Sequence, residues 1–368
     1  MVYLSATQLE IRGFMASKSN LPKKNLLLCR PGFEEALRQE CAARFQLTGE
    51  VAGRACVGFA DTAVVPAPAD TVFARQVMPR AIKFDGSDDQ KIVKAVTDRI
   101  DVMVKRGNRQ AGLWTLHAFA IDDDNGLARA RKIAKQVMAH VRERQKEFFK
   151  RYINPDEFTG TPRSAGDLVL QIYVPSTEDL WFSAAAINDG VSLFEAGFQR
   201  MKTLRGAPSR SASKLEEALS QLGENPTEGQ TAVDLGAAPG GWSFVLARHG
   251  ALVRAVDHAK LDEKAFKGLK GRVEHVRDNG LKYEPSDPVD WMVCDMVMGA
   301  SDSLNVLRTW HQKSLTTRFV VNVKLPKSNP WPQVAEALAL IQGFGWRVVK
   351  ARHLIHDRSE ITLMGCRN

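Results

Sequence analysis

A chain of 368 residues is too long for one ordinary hydrophobic core, so two or three domains of roughly 100–200 residues are expected. Its 44% hydrophobic and 25% charged residues are globular proportions that exclude extensive disorder, and no stretch approaches the roughly 20 apolar residues of a membrane-spanning helix. A net charge of +9 and a pI near 9.3 point to a polyanionic partner, because clustered Lys and Arg gain affinity by releasing counterions from phosphates. The five cysteines (Cys29, Cys41, Cys56, Cys294 and Cys366) are scattered and contain no C-x-x-C pair. That pattern argues against a disulfide framework or a zinc site and suits a reducing cytoplasm.

Along the chain, residues 1–24 read as a poorly patterned N-terminal extension without an apolar signal core, in which Met15 is an alternative start. Ordered patterning begins with a strand at Asn25–Cys29, an amphipathic helix from Glu34 to about Phe45 and a strand near Val57 and Phe59. This small α/β module, 25–69, closes on the proline-rich connector Val65-Pro66-Ala67-Pro68-Ala69. Residues 70–195 alternate a helix at Lys91–Lys105, a strand at Gly112–Phe119, a helix at Leu127–Tyr152 and strands at Leu168–Val174 and Leu180–Ala186, an α+β pattern. From Arg129 to Arg151, nine basic residues (Arg129, Arg131, Lys132, Lys135, Arg142, Arg144, Lys146, Lys150 and Arg151) stand against two acids, Glu143 and Glu147. Such single-signed charge reads as an RNA-backbone contact, with a plain solvent face as the alternative.

Residues 196–210, with Gly197, Gly206, Pro208 and the cations Arg200, Lys202, Arg205 and Arg210, read as a linker. Beyond it, strands are expected at 230–235, 252–257, 272–277, 289–295, 317–323, 346–353 and 360–366 with helices between most of them. That alternation makes 211–368 a doubly wound, Rossmann-like α/β domain.

The most informative segment is Asp234-Leu235-Gly236-Ala237-Ala238-Pro239-Gly240-Gly241-Trp242, which follows the strand-like Thr231-Ala232-Val233 and precedes a helix-like run. Strand, glycine turn and helix in succession form the strand-end crevice of an open α/β sheet. A dinucleotide site would require G-x-G-x-x-G to seat a pyrophosphate. Here the spacing is G-x-x-x-G-G, preceded by an acid at the mouth of the turn that suits a cationic ligand. S-adenosylmethionine (SAM), a sulfonium with an ammonium group, is favoured over NAD.

These nine residues resemble the SAM motif of the FtsJ-type ribose 2′-O-methyltransferases. The front half is similar to a THUMP domain, an RNA-binding module of RNA-modifying enzymes. Cys29-Arg30-Pro31-Gly32-Phe33-Glu34, Ala207-Pro208-Ser209-Arg210-Ser211, Cys294-Asp295-Met296 and Leu325-Pro326 extend the likeness to the bacterial large-subunit rRNA cytidine 2′-O-methyltransferases. Ala238 stands where many members carry Cys. The resemblance implies a cytoplasmic, monomeric enzyme that methylates one cytidine of 23S ribosomal RNA before the subunit is fully assembled. It implies no DNA or membrane partner, and no metal is expected because no His or Cys cluster has ligand spacing.

Three acids fall at the carboxyl ends of expected strands. Asp257, 23 positions after Asp234, is placed to meet the SAM ribose, Asp278 to meet the adenine amino group and Asp295 to face the methionine end or reacting centre. Ser211 and the Ala238–Gly241 turn join them by carry-over from the family, and Asp234, Gly236 and Trp242 complete the expected cofactor set. The family's Lys-Asp-Lys-Glu tetrad maps onto Lys214, Asp295, Lys324 and Glu360. Ser213 and Glu216 have capping-box spacing, which would put Lys214 in a first helical turn, against the macrodipole. Lys324 follows the buried run Phe319–Val323 and is expected to deprotonate the ribose 2′-hydroxyl. Burial, Lys214 and the sulfonium would favour its neutral amine, while Asp295 and Glu360 would oppose it.

Competing readings are base methylation and a non-catalytic RNA-binding assembly factor. Asp295-Met296-Val297-Met298 has no Pro-Pro-aromatic loop, Cys294 reads as a buried apolar residue, and Asn329-Pro330-Trp331 lies beyond the fifth strand, where it starts the next helix. An intact glycine turn together with an intact tetrad argues against a relic.

Overall fold

The computed structural model describes residues 22–106, 112–161, 163–199 and 204–367, and divides into two compact units between Phe198 and Gln199. Most of the N-terminal extension and part of the expected linker, including Arg200 and Lys202, lie outside the described residues.

In the first unit β1 (Lys23–Leu28), β2 (Glu50–Gly53), β3 (Cys56–Ala60), β4 (Gln76–Asp85), β5 (Trp114–Phe119), β6 (Leu168–Tyr173) and β7 (Asp179–Ala186) form one sheet in the order β2-β3-β1-β4-β7-β6-β5. Strands from 25–69 and from 70–195 thus share a single sheet. Helices α1 (Glu34–Phe45), α2 (Asp89–Arg106) and α3 (Asp124–Arg144) accompany it. On α3 the helical spacing of Ala130, Ile133, Val137 and Val141 makes a buried stripe.

Two elements depart from the sequence pattern. Strand β4 is absent from the expected elements; Pro79 interrupts it, and a proline cannot donate to a ladder. The register slips here, and side chains replace the lost pairing: Ser183 Oγ donates to the Pro79 carbonyl at 2.6 Å, and Arg80 N donates to Asn25 Oδ1 at 2.7 Å. The long helix expected to reach Tyr152 stops at Arg144. Gln145 leaves helical geometry (φ −126°, ψ 53°) and its amide donates to Asp101 at 2.8 Å. The cationic run is therefore split, and part of it is already paired: Arg129 and Lys132 hold Asp89 at 3.0 and 2.9 Å. Arg131, Lys135, Arg142, Arg144 and Lys146 remain exposed.

The second unit contains β8 (Thr231–Leu235), β9 (Leu252–Val256), β10 (Arg272–Val276), β11 (Val289–Cys294), β12 (Thr316–Lys324), β13 (Val348–Arg352) and β14 (Glu360–Cys366), all seven near the expected positions. With them come α4 (Ala212–Leu222), α5 (Gly241–Arg248), α6 (Ala300–Gln312) and α7 (Trp331–Gln342). The sheet order is β10-β9-β8-β11-β12-β14-β13, with β8 to β12 mutually parallel and β14 antiparallel between β12 and β13. Strand order reverses between β8 and β11, which opens a crevice at their carboxyl ends. Antiparallel pairing turns the last strand round, so its first residue, Glu360, lies directly opposite Lys324, the last residue of β12. Residues 36 apart in sequence therefore become neighbours at the crevice edge.

Candidate active site

The glycine turn is built as expected, between β8 and α5. Gly236 has φ +75°, and a Cβ there would overlap the Met296 side chain, so only glycine fits both the backbone and the space. Asp257 at the end of β9 tightens the turn: its carboxylate accepts from Ala238 N at 3.0 Å and Ala259 N at 2.8 Å. The Pro239 carbonyl accepts from Asp262 N at 3.0 Å. A Cβ on Gly241 would strike the hydroxyls of Ser209 and Ser211, whose oxygens lie 2.7 Å apart. Trp242, almost fully buried, donates from Nε1 to the Ser211 carbonyl at 2.9 Å. These contacts dock the start of α4 against the turn, and with it Lys214.

Asp234 does not stand at the mouth of the turn. It is 1% exposed and accepts from Ser243 Oγ at 2.7 Å, and burial pushes its carboxyl up to about 7. Through Ser243 it ties the end of β8 to α5. Asp257 is half-buried, and Asp278 is exposed with its carboxylate taking Asn279 N at 2.6 Å. Gly240 abuts Phe266, a neighbour that sequence spacing did not suggest.

The four residues of the tetrad converge. Lys214 Nζ, 13% exposed by side chain, lies 2.6 Å from Glu360, 3.7 Å from Asp295 and 3.9 Å from Asp357. Lys324 Nζ meets the other oxygen of Glu360 at 3.2 Å and keeps 42% of its side chain exposed. One carboxylate thus bridges two lysine side chains. Lys214 does stand in the first turn of α4, but the capping box does not form: Ser213 is already helical, Ser211 is the N-cap residue and Glu216 binds Arg248 instead.

Charge decides what each group can do. Burial alone would lower the Lys214 pKa, but Asp295, Glu360 and Asp357 outweigh it and raise it, so Lys214 is a permanent cation. Burial raises the Asp295 carboxyl from its usual value despite Lys214 and a 2.6 Å hydrogen bond from Asn322. Burial opposes ionisation of Glu360 too, yet Lys214 and then Lys324 hold it down to about 2. A folded-state value below the usual 4.3 or so adds stability that is fully present above about pH 5 and fades as pH falls through 4 towards 2. Thermal unfolding of wild type and Glu360→Gln is therefore expected to converge across that window.

Asn322, Asp357 and Thr362 also face this cluster and were not singled out in the sequence, although Asn322 is a visible polar break in the apolar run of β12. Cys294 is fully buried, and burial pushes its thiol up to about 12, which leaves no thiolate for nucleophilic catalysis. Pro330 and Trp331 start α7, as expected.

Comparison with known proteins bears on this arrangement. Residues 207–327 match the FtsJ-like methyltransferase family, a span that carries the glycine turn, Lys214, Asp295 and Lys324. A protein of Alkalilimnicola ehrlichii named ribosomal RNA large subunit methyltransferase M is 33% identical over 96% of this chain and 98% of its own. The chain belongs to this family. A namesake from Pseudomonas syringae pv. tomato is 32% identical over 91% of this chain and 94% of its own. Among solved structures, that of TrmN from Thermus thermophilus covers 94% of this chain at 12% identity, but its TM-score of 0.34 is too low to bear on the fold. As a member of the family the protein is a SAM-dependent, FtsJ-like methyltransferase. The crevice suits that cofactor: the glycine turn lies at the carboxyl end of β8, and the partly exposed Asp295 carboxylate after β11 can face a cation.

Proposed function

We propose that this chain methylates the ribose 2′-oxygen of one cytidine in 23S ribosomal RNA, with Lys324 as general base. The observation that carries the reading is the bridge Lys214–Glu360–Lys324, at 2.6 and 3.2 Å, beside the glycine turn. Ser211, Gly236, Ala238, Pro239, Gly240, Gly241 and Trp242 would form the SAM cradle, with Asp257 towards the ribose, Asp278 towards the adenine and Asp295 towards the methionine end. Bound SAM supplies a methyl group on positively charged sulfur, so its transfer to oxygen leaves a neutral thioether.

A ribose hydroxyl is a poor nucleophile until its proton departs, so the chain's own task is alignment and proton removal. Lys214, held as a cation by three carboxylates, is unsuited to accept that proton. Lys324 shares a single carboxylate with it and keeps 42% of its side chain exposed at the end of β12. As the neutral amine it would take the proton from the 2′-oxygen and become the ammonium, while Glu360 orients it. The exposed cations Arg131, Lys135, Arg142, Arg144 and Lys146 would hold phosphates in the first unit, the proposed THUMP-like region.

Incubation with methyl-labelled SAM and unmodified large-subunit RNA, followed by digestion to nucleosides, tests the reading. Label is expected in 2′-O-methylcytidine. Label on a base would favour the rival chemistry, and no label at all would reject enzymatic activity on this RNA.

A further inference from the structure

Strands β12 and β14 bring more than Lys324 and Glu360 to the crevice edge. Their ladder ends on that pair, and one further bond, from Leu325 N to the Ser359 carbonyl at 2.8 Å, holds the outgoing and incoming chains together beyond it. The outgoing chain continues through Pro326, Lys327, Ser328 and Asn329, all exposed, before α7 begins. The incoming chain arrives through His356, Asp357, Arg358 and Ser359. Both segments are held by their backbones: Gln333 Nε2 donates to the Lys324 carbonyl at 2.9 Å, and His353 Nε2 lies 3.2 Å from the Arg358 carbonyl. Lys327, just after Lys324, and Arg358, just before Glu360, therefore stand at one corner of the crevice edge.

Both side chains are exposed, and among the described residues neither forms an ion pair. Arg129, Arg248, Arg318 and Arg347, by contrast, each hold a carboxylate. The two segments, 325–330 and 355–359, contain a single acid, Asp357, which is fully buried and lies 3.9 Å from Lys214 Nζ. Solvent therefore meets only positive charge at this corner. The substrate supplies a reason for it. A ribose carries its 2′-hydroxyl on the carbon next to the one that bears the 3′-phosphodiester, so a 2′-oxygen brought to Lys324 brings a phosphate with it. Glu360, held ionised by the two lysines, lies 3.2 Å from Lys324 Nζ and repels that phosphate. Cations set just beyond the pair offset the repulsion and release counterions from the RNA.

We propose that Lys327 and Arg358 form a binding site for the phosphodiester on the 3′ side of the target ribose, and so set the 2′-oxygen against Lys324. The proposal rests on the reading of this crevice as a site of ribose 2′-O-methylation. It places an RNA contact within the methyltransferase unit, in addition to the cations of the first unit. A guanidinium can engage two phosphate oxygens at once, which suits Arg358 to the grip, and Lys327 adds a point charge. Both residues act on the substrate alone and leave the cofactor to the glycine turn.

Arg358→Gln, Lys327→Gln and the double variant of the full-length protein would be assayed for single-turnover methyl transfer to unmodified large-subunit RNA at saturating SAM, with RNA and salt concentrations varied. Each single substitution is expected to raise the RNA concentration for half-maximal rate about tenfold, as loss of a charge-assisted contact does, and the double variant to raise it further. The slope of log affinity against log salt should fall by about 0.7–0.9 for each cation removed. Arg358→Lys keeps the charge and should keep the wild-type slope. Lys313→Gln removes an exposed cation that already holds Glu284 at the C-terminal end of α6, and should leave both quantities at wild type. SAM affinity by calorimetry and the melting temperature should not change in any of these variants. Wild-type half-saturation and slope in the double variant, a slope in Arg358→Lys as shallow as in Arg358→Gln, or losses that follow a weakened fold or SAM site would overturn the proposal. The wild-type product separates the layers: if no ribose of this RNA is methylated, the reading of the crevice has failed and this proposal with it. If wild type forms 2′-O-methylcytidine while the double variant keeps its half-saturation and slope, only the phosphate site is rejected.

Discussion

Replacing Lys324 with alanine is expected to slow methyl transfer about 10²- to 10⁴-fold, the usual contribution of a positioned general base, with SAM affinity changed by less than about twofold. Burst kinetics and calorimetry on the same preparation separate the two effects. Fold should survive, because Glu360 keeps its 2.6 Å bond to Lys214 when Lys324 is gone. Lys324→Arg sharpens the test. Arginine retains the positive charge and can still pair with Glu360, but it does not give up its proton in a protein. If the cation merely steadies the crevice, Arg should restore the rate; if the side chain accepts a proton, Arg should be as slow as Ala.

Lys214→Met is expected to cost stability as well as activity. Methionine matches the length of the lysine stem, yet it leaves Asp295, Glu360 and Asp357 facing one another without the cation they surround. Stranding buried charge in this way costs about 3–5 kcal/mol, which for a unit of this size lowers the melting temperature by about 10 °C. The deficit should shrink in acid, as the carboxylates take up protons and no longer repel. A Lys214→Met protein that melts with wild type at neutral pH would show that the cluster is too well solvated to matter. Lys324→Ala, by contrast, should melt near wild type, so the two lysines are told apart by stability as well as by rate.

Contiguous signals were the legible ones. The glycine turn is one uninterrupted segment whose strand, bend and helix follow from local chemistry, and the seven strands of the second unit follow from short apolar runs separated by helices. Lys214, Asp295, Lys324 and Glu360 became a set only through family likeness, since their proximity depends on β14 running antiparallel beside β12. What escaped has the same cause. Thr362 and Asn322 are 40 positions apart and meet across that pairing, which no local pattern encodes. Strand β4 hides behind Pro79, whose cost is met by Ser183 and Asn25 from distant strands. Spacing also misplaced two details. The Ser213–Glu216 pattern lost to a helix start set by Ser211, which is docked on Trp242. Asp234 looked like a mouth residue because sequence tells which residue ends a strand but not which face its carboxylate takes.

Chemical rescue of Lys324→Ala tests the central claim most directly, because the open crevice that leaves the native side chain 42% exposed should admit a small amine. Single-turnover methyl transfer would be followed while methylamine or ethylamine is added at constant ionic strength and several pH values. The expected result is a rate that climbs with the concentration of free-base amine and leaves SAM affinity untouched. A variant that already turns over like wild type, or one whose residual rate ignores every amine at every pH, would contradict proton removal by Lys324.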